Sequence, residues 1–500
     1  MSKSVNLIQT CELRNVNVLL KSFTSNLLKK NCQKDGNYRS VTSASYSQCT
    51  MSRQTFPVNL KKHPSVCQTE ITSARSFSMK EMAPEIGFKP NGHLLIDDRL
   101  EIKVDKLVQN QKVTVYAYLD EEGKKFEACG CFKADSSGTV NLGKHASLSG
   151  TYSGVSAMGL FWSMVPCPGQ MEGIRLMKKN LDTPFKTQVT VYDGHFSLDE
   201  LREKTPPELS TTVIERWYKS PGVTSYEVTD GNVRGRLFLP AGDGPFPGVI
   251  DLFGTVGGIT EYRSALLASR GIASLALPYF LYKDLPKTLY DLNLDYFLEA
   301  IDWLLSRKNV ISSGIGVIGT SKGGDIALMM GAYSKKVCAI VNVNGCTFNA
   351  SVPMKYSGGD IPEVPLLFDK IENIDGKYAM NKALEYVPSD ITQVWKNDAK
   401  ILNILSEDDM CSPKDCIRML KDLYPIEKTD NCIVAAYRGA GHLVEPPYTP
   451  LCNMSYHKSF DMYFWWGGQP DLHAIAEEDS WRRILQFFHE ELPVTDAAKL

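Results

Sequence analysis

Gly316-Val317-Ile318-Gly319-Thr320-Ser321-Lys322-Gly323-Gly324 is the stretch on which the fold turns. It runs from a buried apolar strand through G-x-S-x-G into a helical pattern over 323–333. The flanking glycines leave room for a sharp turn whose central residue takes a strained backbone conformation. Such a turn lifts the Ser321 hydroxyl out of a sheet at a helix N-terminus, where the dipole favours developing negative charge. A Gly/Ser turn without chemistry is the competing reading. Strand before and helix after weigh against it.

Outward from the turn, strands and helices alternate. The apolar run 247–254 is of buried-strand type, Thr255-Val256-Gly257-Gly258 makes a Gly-rich turn, and 260–270 reads as helix. Strand 271–277 follows, then a helix over 291–307 with Phe297, Ile301, Leu304 and Leu305 on one face. Strand 314–318, helix 323–333 and strand 338–343 continue the pattern. Alternation of this kind predicts a mostly parallel sheet wrapped by helices, with ligands at the carboxyl ends of its strands.

A serine at such a turn needs a base and an acid, which in α/β-hydrolases follow it in the order Ser, Asp/Glu, His. His442 sits in Gly439-Ala440-Gly441-His442, just after the strand 432–437. His457 and His473 read as loop residues with no strand before them, and His489 as a surface residue of the last amphipathic helix. The strand 400–405 ends in Ser406-Glu407-Asp408-Asp409, where three acids compete. Asp409 is favoured, against a loop acid that merely caps the next helix. In a triad His442 takes the Ser321 proton as general base, and Asp409 orients and charge-stabilises the imidazole. Two backbone N–H groups serve the oxyanion: Lys322, just after the nucleophile, and Thr255 or Val256 in the turn after the Phe253 strand. To this point the residues say serine hydrolase or acyltransferase.

The rest of the chain sets the frame. Residues 88–210 are short, alternating and β-rich. Val113, Val115, Ala117 and Leu119 alternate with Thr114, Tyr116 and Tyr118, a further strand lies at 188–192, and no helical run reaches ten residues. This predicts an all-β, immunoglobulin-like sandwich ahead of an α/β-hydrolase domain over 211–492, with 346–398 as a cap-like insertion and 493–500 as a tail. His145 and His195 read as turn histidines. Residues 1–80 hold 12 Lys/Arg against Glu12, Asp35 and Glu70, the composition of a disordered leader or a mitochondrial transit peptide. With 55 Lys/Arg against 57 Asp/Glu, the net charge of −2 gives no global field to attract nucleic acid. No apolar run is long enough to span a bilayer. The 13 Cys lack paired spacing and read as reduced thiols, and Cys129-Gly130-Cys131 without a second Cys/His pair is not a metal site.

Several motifs resemble the type-I acyl-CoA thioesterase/bile acid-CoA:amino acid N-acyltransferase family. They are 248–254 with Gly257-Gly258 and Glu261-Tyr262-Arg263; Gly319-Thr320-Ser321-Lys322-Gly323-Gly324; Gly441-His442-Leu443-Val444-Glu445-Pro446-Pro447-Tyr448; and Trp466-Gly467-Gly468 with Trp481 and Phe487-Phe488-His489. Met158-Gly159-Leu160-Phe161-Trp162 and 181–193 extend the likeness into the first part, so that it covers about 88–490. The resemblance implies a β-sandwich followed by an α/β-hydrolase domain, no metal and no organic cofactor. Within the family the thioesterases resemble this chain in carrying serine at the elbow, whereas the bile acid conjugating enzymes carry cysteine. One departure is Met410-Cys411-Ser412, where relatives often have a His-Asn-Trp-type run.

The implied activity is hydrolysis of medium- to long-chain fatty acyl-CoA to fatty acid and CoA through an acyl-serine. The alternatives are transfer of the acyl group to glycine or taurine, and a non-catalytic acyl-CoA binder. The ending Ala498-Lys499-Leu500 resembles the small–basic–Leu peroxisomal address, making an import receptor a second partner and the peroxisome the expected location, with the mitochondrial matrix or the cytosol as alternative.

Overall fold

A computed structural model describes residues 83–458 and 460–494, which belong to one compact unit. The leader 1–80 and the ending Ala498-Lys499-Leu500 lie outside the described residues, as does most of the tail 493–500.

The first part is built of two sheets of three and seven strands, almost wholly antiparallel. Lys112–Glu121 and Lys124–Lys133 form its central hairpin, with Phe185–Asp193 and Glu208–Trp217 beyond. The alternation read at Val113, Val115, Ala117 and Leu119 is a buried face, and these side chains share one apolar cluster with Ile102, Val104 and Val140 of the smaller sheet. Two short helices interrupt the strands, Gly159–Trp162 and Leu198–Lys204. The latter opens on a capping box between Ser197 and Glu200. Cys129 and Cys131 are buried free thiols.

The second part carries an eight-stranded sheet in the order Thr224–Val228, Gly235–Leu239, Ala273–Ala276, Phe246–Leu252, Val310–Thr320, Val337–Val343, Lys400–Ser406 and Cys432–Tyr437. The last six run parallel, and the first two join by antiparallel pairs. Helices Tyr262–Ser269, Leu294–Leu305, Lys322–Tyr333 and Asp415–Leu423 lie in the crossovers, and Pro470–Glu491 forms the last helix. The expected mostly parallel sheet is present, and each expected element lies within a few residues of its predicted bounds.

Residues 346–398 hold no α-helix. They form short hairpins and single 3-10 turns, and the hairpin Glu372–Ile374/Lys377–Ala379 joins the hairpin Met454–His457/Met462–Trp465 in a separate four-stranded sheet. The two parts of the chain are tied by charge at one corner. Arg270 reaches Asp97 and Asp98 at 2.5 and 2.8 Å, and Trp481 Nε1 donates to Asp97 Oδ2 at 2.8 Å.

Candidate active site

Ser321 stands between the strand Val310–Thr320 and the helix Lys322–Tyr333 with φ 57° and ψ −128°, a conformation that L-residues rarely hold. The neighbouring glycines permit it: a Cβ on Gly319 would strike the Gly323 carbonyl, and one on Gly323 would lie 2.7 Å from the Phe253 oxygen. Ser321 N–H donates to Val343 O at 2.9 Å, fastening the turn to the next strand. Lys322 occupies the first helical position, where a backbone N–H has no intrahelical acceptor. Its side chain is committed elsewhere: Nζ donates to Asn349 Oδ1 and Ala350 O at 2.9 and 2.7 Å and lies 3.3 Å from Asp325 Oδ2. Burial raises the Asp325 carboxyl to about 6 despite that ammonium.

A buried ion pair braces the elbow from below. Arg263 Nε donates to Asp251 Oδ1 at 2.9 Å, Nη1 to Thr320 Oγ1 at 2.6 Å and Nη2 to Leu252 O at 3.0 Å. One guanidinium thus fixes the ends of two adjacent strands, those that lead to Ser321 and to Thr255.

His442 and Asp409 come from the ends of Cys432–Tyr437 and Lys400–Ser406. His442 Nδ1 lies 2.8 Å from Asp409 Oδ2, and the other carboxylate oxygen accepts from Cys411 N–H and Ser412 N–H at 2.7 and 2.9 Å. Both side chains are buried. Burial is the largest single influence on His442 and lowers its pKa, but the charge and hydrogen bonding of Asp409 and Cys411 together outweigh it and hold the imidazole well above its ordinary value. Asp408 faces away, its carboxylate accepting from Gln469 Nε2 at 3.0 Å on the surface, and Glu407 pairs with Arg418. Of the three competing acids, only Asp409 meets His442. The far nitrogen, His442 Nε2, is buried without a hydrogen-bond partner among the described residues.

Two histidines read as loop residues are neither in loops nor exposed. His457 ends the strand Met454–His457, and its Nε2 lies 3.0 Å from Thr255 Oγ1. His473 lies in the helix Pro470–Glu491, where it accepts from Gly441 N–H through Nδ1 at 3.1 Å and meets Leu443 O through Nε2 at 3.2 Å. These bonds assign the Nε2–H tautomer and clamp the backbone on both sides of His442. Pro470 was the available signal, because proline favours the first helical position and starts the helix three residues before His473.

Phe253, Gly254, Thr255, Val256, Ser321 and His442 line one cavity of about 370 Å³, so the candidate nucleophile, base and oxyanion turn share a space. Part of its lining is charged. Arg175, from the first part of the chain, pairs with Glu445, which also accepts from the buried Tyr262 hydroxyl. The cluster can orient a polar substrate group beside Ser321, and neither Arg175 nor Tyr262 was singled out by sequence for such a place.

Comparison with known proteins matches residues 97–230 to the family described as acyl-CoA thioester hydrolase/BAAT N-terminal region, and residues 292–493 to BAAT/acyl-CoA thioester hydrolase C terminal. The chain is 39% identical over 403 residues to acyl-coenzyme A amino acid N-acyltransferase 1 of Mus musculus, covering 80% of this chain and 95% of the mouse protein. It is 35% identical over 430 residues to acyl-coenzyme A thioesterase 2, mitochondrial, of Homo sapiens, covering 82% and 85%. A solved dienelactone hydrolase from Anabaena variabilis aligns with 54% of this chain and 100% of its own, at 19% identity and a TM-score of 0.32.

Proposed function

Since the chain belongs to the acyl-CoA thioester hydrolase/BAAT family, we propose that it is a serine-dependent acyl-CoA thioesterase acting on medium- to long-chain fatty acyl-CoA. The observation that carries this reading is Ser321 on a strained elbow in the same cavity as the buried His442–Asp409 pair. Ser321 Oγ attacks the thioester carbonyl as His442 Nε2 takes its proton, and the tetrahedral oxyanion faces the N–H groups of Lys322 and the Thr255–Val256 turn. Collapse breaks the C–S bond, and His442 returns the proton to the CoA sulfur. Water, activated by the same imidazole, then cleaves the acyl-Ser321 ester.

Transfer to an amino acid is the second reading, favoured by the 39% identity to a mouse acyl-CoA amino acid N-acyltransferase. An amine would then replace water in the second half-reaction. An oxyester on Ser321 is less reactive toward amines than the thioester of a cysteine enzyme, which supports hydrolysis. The test offers fatty acyl-CoA with and without millimolar glycine or taurine and resolves the products by mass. Free acid should dominate in both, and Ser321→Ala should abolish CoA release. A majority of N-acyl amino acid would replace the first reading by the second. For location, the mitochondrial matrix is supported by a mitochondrial relative.

A further inference from the structure

His457 stands in the cavity without belonging to the triad. It is 5% exposed, with Phe464 stacked at 4.8 Å and Phe460 edge-on at 5.0 Å. Burial pushes its pKa down to about 4, so the ring is neutral at physiological pH. A neutral imidazole has one N–H and one bare nitrogen. Here Nε2 meets Thr255 Oγ1 at 3.0 Å, and the buried Nδ1 has no hydrogen-bond partner among the described residues. A proton on Nδ1 would bury a donor with no acceptor, whereas a proton on Nε2 is used on the Thr255 oxygen. With Nε2–H donating, the threonine oxygen is an acceptor toward His457 and its own O–H remains to be given away.

Thr255 shares the cavity in which that proton would be given. It follows Gly254, where a Cβ would lie 3.3 Å from Ser321 Oγ, and it lines the same cavity as Ser321 and His442. We propose that the Thr255 hydroxyl, held and polarised by His457, is a side-chain donor to the thioester carbonyl oxygen as it becomes an oxyanion. Thr255 is then a catalytic residue beyond its backbone N–H, and His457 a positioning residue. As Ser321 Oγ bonds to the carbonyl carbon, the C=O π pair moves onto oxygen and the Thr255 O–H tightens on it. As the C–S bond breaks, that pair re-forms the carbonyl. No bond to Thr255 or His457 is made or broken. The proposal rests on Ser321 being the nucleophile.

The test compares Thr255→Val, Thr255→Ser, His457→Phe, His457→Gln and the Thr255→Val/His457→Phe double variant. It uses two readouts: kcat and KM on a fatty acyl-CoA, and the rate at which a fluorophosphonate labels Ser321. The second needs no thioester turnover, yet it sets a phosphoryl oxygen where the oxyanion forms. Thr255→Val should lower kcat about 100-fold with KM little changed, and slow labelling as well. Thr255→Ser, which keeps the hydroxyl, should stay within about threefold of wild type. His457→Phe should lower kcat, His457→Gln should recover most of the loss through its amide N–H, and the double variant should be no worse than Thr255→Val alone. The idea is overturned by a Thr255→Val protein within about threefold of wild type in both readouts, by a loss confined to KM, or by additive losses in the double variant. Wild-type protein that labels at Ser321 but releases no CoA would discard the thioesterase reading and leave the labelling comparison to decide this one. Wild type that does not label at Ser321 overturns both.

Discussion

The indole of Trp466 lies flat against the imidazole of His442, ring centroids 5.3 Å apart and planes 15° from parallel. The Trp466 carbonyl also accepts from His442 N–H at 2.8 Å, so one residue restrains the histidine at ring and backbone together. Trp466→Ala removes a buried ring and is expected to cost about 3–5 kcal/mol of stability. Misplacing the base should lower kcat by about 100-fold even where the variant is folded. Denaturant unfolding and steady-state kinetics at one temperature check both.

Asp409→Asn is expected to lower kcat by about 10³–10⁴-fold, because an amide offers His442 Nδ1 no charge and disturbs its tautomer. Asp408→Asn should stay within about threefold, since its carboxylate accepts from Gln469 on the surface, away from His442. Equal losses in the two variants would remove Asp409 from its role.

As the proposed base, His442 works only when neutral, so activity should fall as pH drops through its pKa. Asp409 raises that pKa, and the acid limb of kcat/KM should therefore lie above the ordinary histidine value of about 6.5. Asp409→Asn removes the Asp409 part of the upward push, leaving that of Cys411 against the larger downward one from burial. Residual activity in that variant should persist to lower pH than in wild type. A limb that stays fixed would show that the titrating group is not His442.

Gly467→Ala should inactivate the protein. Gly467 has φ +77°, it bridges to Asp409 across an isolated pair, and a Cβ on it would run into the Asp408 carbonyl oxygen. Relief requires the acid turn to move, which separates Asp409 from His442. A lost imidazole–carboxylate proton signal by NMR, together with lost turnover, is the expected outcome.

The parts legible in the sequence were those whose signal is local. Ser321 announces itself within nine residues, and His442 and Asp409 each follow a strand that ends in a recognisable turn. His457 was missed because its strand has four residues, with the polar Ser455 and Tyr456 among them, too short for an alternation to stand out. Its partner Thr255 is 202 positions away, and no periodicity joins residues so distant. The unusual make-up of 346–398 was hidden for the same reason: one of its hairpins completes a sheet with strands from 454–465, a pairing that no window of sequence contains.

Arg175 and Glu445 are 270 positions apart and meet in the lining of the Ser321 cavity. The β-rich part is thus a wall of the reaction chamber, and the chain cannot be treated as a catalyst with a removable appendage. A chimera that joins the first part of one family member to the second part of another inherits a cavity lining assembled from two lineages. Unless both halves of that charged pair are carried across together, such a hybrid buries an unmatched charge beside its own nucleophile.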